Sequence, residues 1–199
     1  MHRTGLGLAL LTFMGVMPLA AQQPSPAGIG IANGAPRVEL SLGYSYVLAK
    51  TVIPSGCCFN MHGGSASVAA NVTESVGLVA DVGGYHTNNV RNSGLTLTVI
   101  SYTFGPRLSI RREHFTPFAH ALFGAAHGGG TLYTTGFPGG RRTAFATILG
   151  GGLDINVSRT IAIRAIEADW LFTKLPNGVD NRQHNLRLTA GIVFRFGGN

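Results

Sequence analysis

Residues 186–196 constrain the fold more than any other stretch. Leu186, Leu188, Ala190, Ile192, Phe194 and Phe196 occupy every second position, and Arg187, Thr189, Gly191, Val193 and Arg195 fill the gaps. Side chains alternate across a β-strand, so one face is continuously apolar while the other carries two arginines, a hydroxyl and a glycine. A soluble barrel or sandwich buries its apolar face. A membrane barrel turns that face to lipid and keeps a polar interior. The stretch also matches the roughly 9–11 residues that a tilted strand needs to cross a bilayer.

The other end of the chain fits export. Arg3 precedes an apolar run from Gly5 to Met17, then Pro18 and the small residues Ala20 and Ala21. A positive start, a short apolar core and small residues at the cut describe a secretory signal peptide, expected at 1–21. Residues 22–36, with three prolines and three glycines, read as a flexible periplasmic leader, and 37–199 as the barrel. Charged residues are 12% of the chain and glycine contributes 29 residues. Soluble domains carry about 25% charged residues, so the low fraction suits a surface spent largely on lipid. The net charge of +7 would raise nucleic acid as a partner inside a cell. In an exported protein, anionic lipids and lipopolysaccharide are the expected counter-charges, and no nucleic acid is expected.

Seven further stretches alternate like the last: 38–49, 62–72, 76–86, 95–110, 117–126, 143–157 and 161–172. In the first, Val38, Leu40, Leu42, Tyr44, Tyr46 and Leu48 share a face, with both tyrosines near the outer end where an aromatic girdle sits. Thr73-Glu74-Ser75 makes a three-residue hairpin that fixes register. If Val72 faces Val76, then Val68 faces Ala80, Ser67 faces Asp81 and His62 faces His86. By the same logic Ser158-Arg159-Thr160 sets Asp154 opposite Arg164. With Arg164 inward, strict alternation would place Glu167 and Asp169 in lipid, at a few kcal/mol each. A β-bulge near Ala165-Ile166 is therefore expected to return both to the interior. Pro106 falls on the outer face and is expected to sit at a bulge. His120 is assigned inward, with Ala119, Ala121 and Phe123 outward. Connections after the first, third, fifth and seventh strands are long, and the other three are short. That asymmetry predicts an eight-stranded antiparallel up-and-down transmembrane β-barrel with short periplasmic turns and longer extracellular loops.

The chain resembles the small eight-stranded outer-membrane barrels of the OmpA/OmpX-like superfamily. The resemblance rests on the N-terminal run, Gly105-Pro106-Arg107, Gly150-Gly151-Gly152-Leu153-Asp154, Ile163-Arg164, Asp169-Trp170-Leu171 and the closing run from Arg187 to Phe196. It implies that the last strand is read by the barrel-assembly machinery, although Gly197-Gly198-Asn199 follow the terminal aromatic. A closed barrel has no free edge that demands a partner, so a monomer is expected. No peptidoglycan-binding domain is expected.

Alternation sends Glu39, Asp81, Asp154, Glu167 and Asp169 inward with Arg107, Arg164, Arg187 and Arg195. Paired carboxylates can serve acid–base chemistry. An eight-stranded barrel is only wide enough for its own side chains, however, so the expected role is a structural charge network that fills the interior. No catalytic residue and no cofactor is expected. His62, His86, His127 and His184 recur at the outer rim near Cys57 and Cys58, which makes His62, His86, Cys57 and Cys58 weak candidates for a metal site, because Cys and His suit zinc or copper. The adjacent cysteines form a vicinal bridge or stay reduced. A structural or surface-interaction role with an unidentified extracellular ligand is the first reading. A narrow pore is the second, with the inward glycines Gly43, Gly77, Gly83, Gly105, Gly150, Gly152 and Gly191 leaving gaps for water. A lipid A-modifying enzyme is the third, although Ser109 and His120 make no convincing pair.

Overall fold

A computed structural model describes residues 35–50, 58–136, 142–177 and 180–198. Eight strands form a closed barrel in sequence order: β1 (Val38–Lys50), β2 (Cys58–Asn71), β3 (Val76–Thr87), β4 (Leu97–Ser109), β5 (Phe115–Gly129), β6 (Thr143–Asn156), β7 (Ile161–Thr173) and β8 (Gln183–Phe196). Every neighbouring pair is antiparallel, and β1 closes on β8 with Glu39 opposite Arg195 and Ala49 opposite Asn185. No helix among the described residues is long and apolar enough to cross a membrane. The expected signal peptide and most of the leader lie outside the described residues, as does Cys57.

Period-two alternation becomes an inside and an outside. Along β4 every second residue is buried, from Leu97 to Ser109, and the intervening Phe104 and Leu108 stand 69% and 59% exposed. Leu42, Leu78, Ile163, Ile192 and Phe196 extend this apolar belt around the wall. A soluble monomer rarely shows a contiguous apolar patch beyond a few hundred Å², so the belt needs lipid. Near the end that carries the long connections, Trp170 stacks on His184 at 5.4 Å and on Phe172 at 5.7 Å, as an interfacial girdle requires.

The short turns hold the registers that the sequence implied. In 73–75 the Thr73 hydroxyl accepts from the Val76 amide at 2.9 Å, and in 158–160 Ser158 accepts from Ile161 at 3.0 Å. Each hydroxyl closes its own turn. His62 then faces His86, Ser67 faces Asp81, and Asp154 faces Arg164. The β7 bulge falls where it was expected: both ladders shift by a residue next to Arg164. Ala165 and Ile166 both point outward, so Glu167 and Asp169 return to the interior. His120 points inward.

Pro106 differs from expectation. It faces outward, but Phe104 opposite Phe123 and Arg107 opposite His120 keep one register on either side of it. Gly105 and Pro106 drop out of the β4–β5 pairing without a bulge. The missing amide hydrogen opens the ladder, and the regular pairs on both sides carry the strand straight across the gap. β2 and β5 also begin earlier than the alternation suggested, at Cys58 and Phe115.

Candidate functional site

The interior is divided. Its inner and middle levels hold one connected chain of ion pairs. Glu39 on β1 accepts from Arg107 Nη1 at 3.0 Å, from Arg111 Nη1 at 2.9 Å and from Arg195 Nε at 3.2 Å. Arg107 reaches Asp154 at 3.2 Å, and Asp154 holds Arg164 at 2.9 Å. Arg164 donates to Glu167 at 2.6 Å. Arg187, wholly buried, then gathers Glu167 at 2.9 Å, Asp169 at 2.7 Å and Asp81 at 2.8 Å. Its Nη1 also donates to the Tyr85 hydroxyl at 3.0 Å. His120 Nε2 lies 2.9 Å from Asp169. The Phe118 ring sits between Arg107 and Arg164, with guanidinium carbons 4.2 and 4.4 Å from its centroid. Each buried carboxylate is thus held by at least one guanidinium group, the condition for burying charge, while Arg107 Nε and Arg111 Nη2 have no partner among the described residues.

All nine residues assigned to the network by alternation belong to it. Arg111, Tyr85, His120 and Phe118 join them. Tyr85 and Phe118 continue an inward phase already visible in the sequence, Tyr85 two residues beyond Gly83 and Phe118 two before His120. Arg111 was hidden because it lies past the strand end, in the turn, and folds back to Glu39.

The inward glycines do not leave gaps. The space beside Gly83 is taken by the Tyr85 hydroxyl, that beside Gly150 by the Asp169 carboxylate, and that beside Gly152 by the Phe118 ring. The depression bounded by Asp81, Arg107, His120, Arg164 and Glu167 has no room for a water molecule.

Above this plug the interior changes character, which corrects the expectation of a polar network throughout. Val47, Met61, Val79, Val99, Leu122, Ile148 and Leu171 form a buried apolar cluster, capped from the connections by Val90, Tyr133 and Leu175. The cluster does not close. A cavity of about 190 Å³ remains at the mouth, walled by Met61, Val99, Leu132, Leu171 and Leu175, with Lys50, Arg91 and Gln183 around its rim. Burial pushes the Tyr133 phenol up to about 12.

The metal candidates are only partly brought together. His62 and His86 are register partners on the outer wall, but His62 Nδ1 is 2.6 Å from the Tyr44 hydroxyl. The two ring nitrogens of His86 engage Thr98 at 2.8 Å and Asn88 at 2.7 Å. Cys58 is disulfide-bonded, so its sulfur is not a thiolate ligand. Among the described residues, His120, Glu167 and Asp169 do place ligand atoms within 4.8 Å of one another, yet both carboxylates are already engaged by arginine.

No protein-family model and no curated protein sequence matches the chain. Solved structures do. Ail, the attachment invasion locus protein of Yersinia pestis, is 19% identical, covers 81% of this chain and 99% of its own, and superposes with a TM-score of 0.55. Neisserial surface protein A is 13% identical over 82% of this chain and 100% of its own, at a TM-score of 0.61. The fold is that of the small eight-stranded outer-membrane barrels. The outer membrane protein OprG of Pseudomonas aeruginosa, at 7% identity and a TM-score of 0.54 over 84% of this chain and 99% of its own, has the same fold. A second structure of Ail holds the heparin analogue sucrose octasulfate, with a TM-score of 0.52. At these identities the likeness of the chain to its neighbours is one of architecture.

Proposed function

We propose that this chain is a non-conducting, non-enzymatic outer-membrane protein whose structural wall presents an interactive outer surface. The observation that carries the reading is the unbroken ion-pair chain from Arg195 to Asp169, with no room for a water molecule in the depression that Asp81, Arg107, Arg164 and Glu167 bound. A conduit needs polar groups free to exchange with a solute. Here every carboxylate of the network is held by a guanidinium group.

The outer end supports the surface role. Lys50, Arg91, Arg142, Lys174 and Arg182 lie on or near the long connections, where the sequence offers a single acid, Asp180. Such a rim attracts polyanions, and lipopolysaccharide phosphates are the nearest ones in an outer membrane. The attachment protein Ail, captured with a sulfated sugar, makes a similar use of this architecture plausible for the present chain. The closed barrel leaves no strand edge that demands a partner, which supports a monomer. Ser109 lies inside the barrel at the end away from the long connections, and His120 is turned to Asp169. Neither position suits attack on an outer-leaflet lipid.

Planar-bilayer conductance of the refolded chain, after heat-dependent gel mobility has established folding, tests this. A folded, silent barrel is the expected result. Discrete channel steps would replace the plug with a pore, and a changed lipid A mass on expression would restore the enzyme reading.

A further inference from the structure

We propose that the outer mouth is a binding site for a small, uncharged, largely apolar molecule carrying one hydroxyl group, of about the size of a cresol. The inference goes beyond the surface role and shares with it only the closed floor beneath the mouth.

Three observations meet here. The first is the cavity itself. At about 190 Å³ it is somewhat larger than the ~150 Å³ apolar cavity known to take up benzene, so a single ring with one or two substituents fills it. The second is the lining. Met61, Val99 and Leu171 are inward residues of β2, β4 and β7, and Leu132 and Leu175 arrive from the connections. The strands separate this space from lipid, so access is from the aqueous end. The mouth is held in shape by Gln183, whose Nε2 donates to the Leu175 carbonyl at 2.7 Å while its Oε1 accepts from the Thr173 hydroxyl at 2.7 Å.

The third observation is Asn185. It lines the cavity and is only 6% exposed, and its Oδ1 accepts from no donor among the described residues. A buried acceptor without a donor is destabilising, and of the five buried polar side-chain atoms without a partner among the described residues, Asn185 Oδ1 is the one on a residue that lines this cavity. A water molecule entering from the aqueous end would satisfy it but would leave the apolar walls of Met61, Val99 and Leu171 facing a polar occupant. A hydroxyl on an apolar body meets both demands: its O–H donates to Asn185 Oδ1 and its ring covers Met61, Val99 and Leu171. The charged plug below, from Tyr85 and Arg187 inward, gives such a molecule no onward path, so the mouth is a receptor pocket and not a passage.

The chain carries its own reporter. Of its four methionines, Met61 alone lies beyond residue 17. Labelling the methionine methyls with carbon-13 in phospholipid nanodiscs, with Met61→Leu to assign the signal, reads the pocket directly. p-Cresol is expected to shift the Met61 methyl saturably, with half-saturation at a concentration at least threefold lower than toluene, which has no donor. Asn185→Leu is expected to abolish that preference, and Ala49→Phe, which fills the cavity, to abolish the shift. A Met61 signal that moves linearly with both probes, as simple lipid partitioning would cause, overturns the site. A cresol preference that survives Asn185→Leu overturns the hydroxyl assignment. Should Ala49→Phe fail to fold, nuclear Overhauser contacts between the cresol ring and the Met61 methyl take its place, and their absence overturns the proposal. A conducting barrel with a saturable Met61 response would sink the plug reading and the closed floor with it, and leave the binding site itself standing.

Discussion

Arg187→Met is the most informative single perturbation of the wall. Methionine keeps most of the side-chain volume and removes the charge. Asp169 still has His120 and Glu167 still has Arg164, but Asp81 has no other ion-pair partner among the described residues. One carboxylate is thus left buried and uncompensated, and breaking a buried pair in this way costs about 3–5 kcal/mol. With an m-value of about 2 kcal/mol per molar urea, the unfolding midpoint should fall by about 2 M. Trp170 is the single tryptophan of the chain and sits on the outer wall against His184. Its fluorescence in phospholipid vesicles therefore follows the loss of the barrel. Adding Asp81→Asn removes the orphaned charge and should recover at least half of the loss. If Arg187→Met unfolds at the wild-type midpoint, or if Asp81→Asn makes the double variant worse, the ion-pair chain does not hold the wall and the argument from buried charge is refuted.

Deleting Ala165 should be tolerated, because it removes the residue in excess of both ladders and leaves Arg164, Glu167 and Asp169 inward; heat-dependent gel mobility would read the outcome, and loss of the folded band would contradict the bulge assignment. Pro106→Val should raise stability by about 1 kcal/mol by returning an amide hydrogen to the β4–β5 ladder, measured by the same urea titration. Tyr133 gives a pH signature. Its phenol loses a proton near 10 when unfolded and near about 12 when folded, so the unfolded state binds fewer protons between those values. Stability should fall as pH rises through that window and be indifferent to this group below it. Tyr133→Phe should remove a step near 12 from the phenolate absorbance titration.

Much of this architecture could be read from residues alone because the membrane makes alternation expensive to violate. The β7 bulge followed from the cost of leaving Glu167 and Asp169 in lipid, and the β2–β3 register from a three-residue turn. The phase of β5 was ambiguous in the sequence, and His120 inward with Ala119, Ala121 and Phe123 outward was only the favoured of its two readings. Where no such penalty operates, the sequence was less legible. At Pro106 a bulge and an open ladder are equally compatible with alternation, and only the pairs on both flanks distinguish them. Arg111 escaped because a turn carries no periodicity, although its long side chain reaches back to Glu39. The apolar mouth escaped for the same reason. Inward positions such as Met61 and Val99 can be recognised, but whether they meet a plug or a cavity depends on Leu132, Tyr133 and Leu175, whose positions come from irregular connections.

The split between a charged inner half and an apolar mouth separates two kinds of sequence freedom. The groups that hold the wall together lie away from the long connections, and among the described residues no ion pair of the network involves a loop at that end. Loop sequence can therefore drift, or be replaced by grafting, without drawing on the interactions that close the barrel. The fold behaves as a chassis with an exchangeable face.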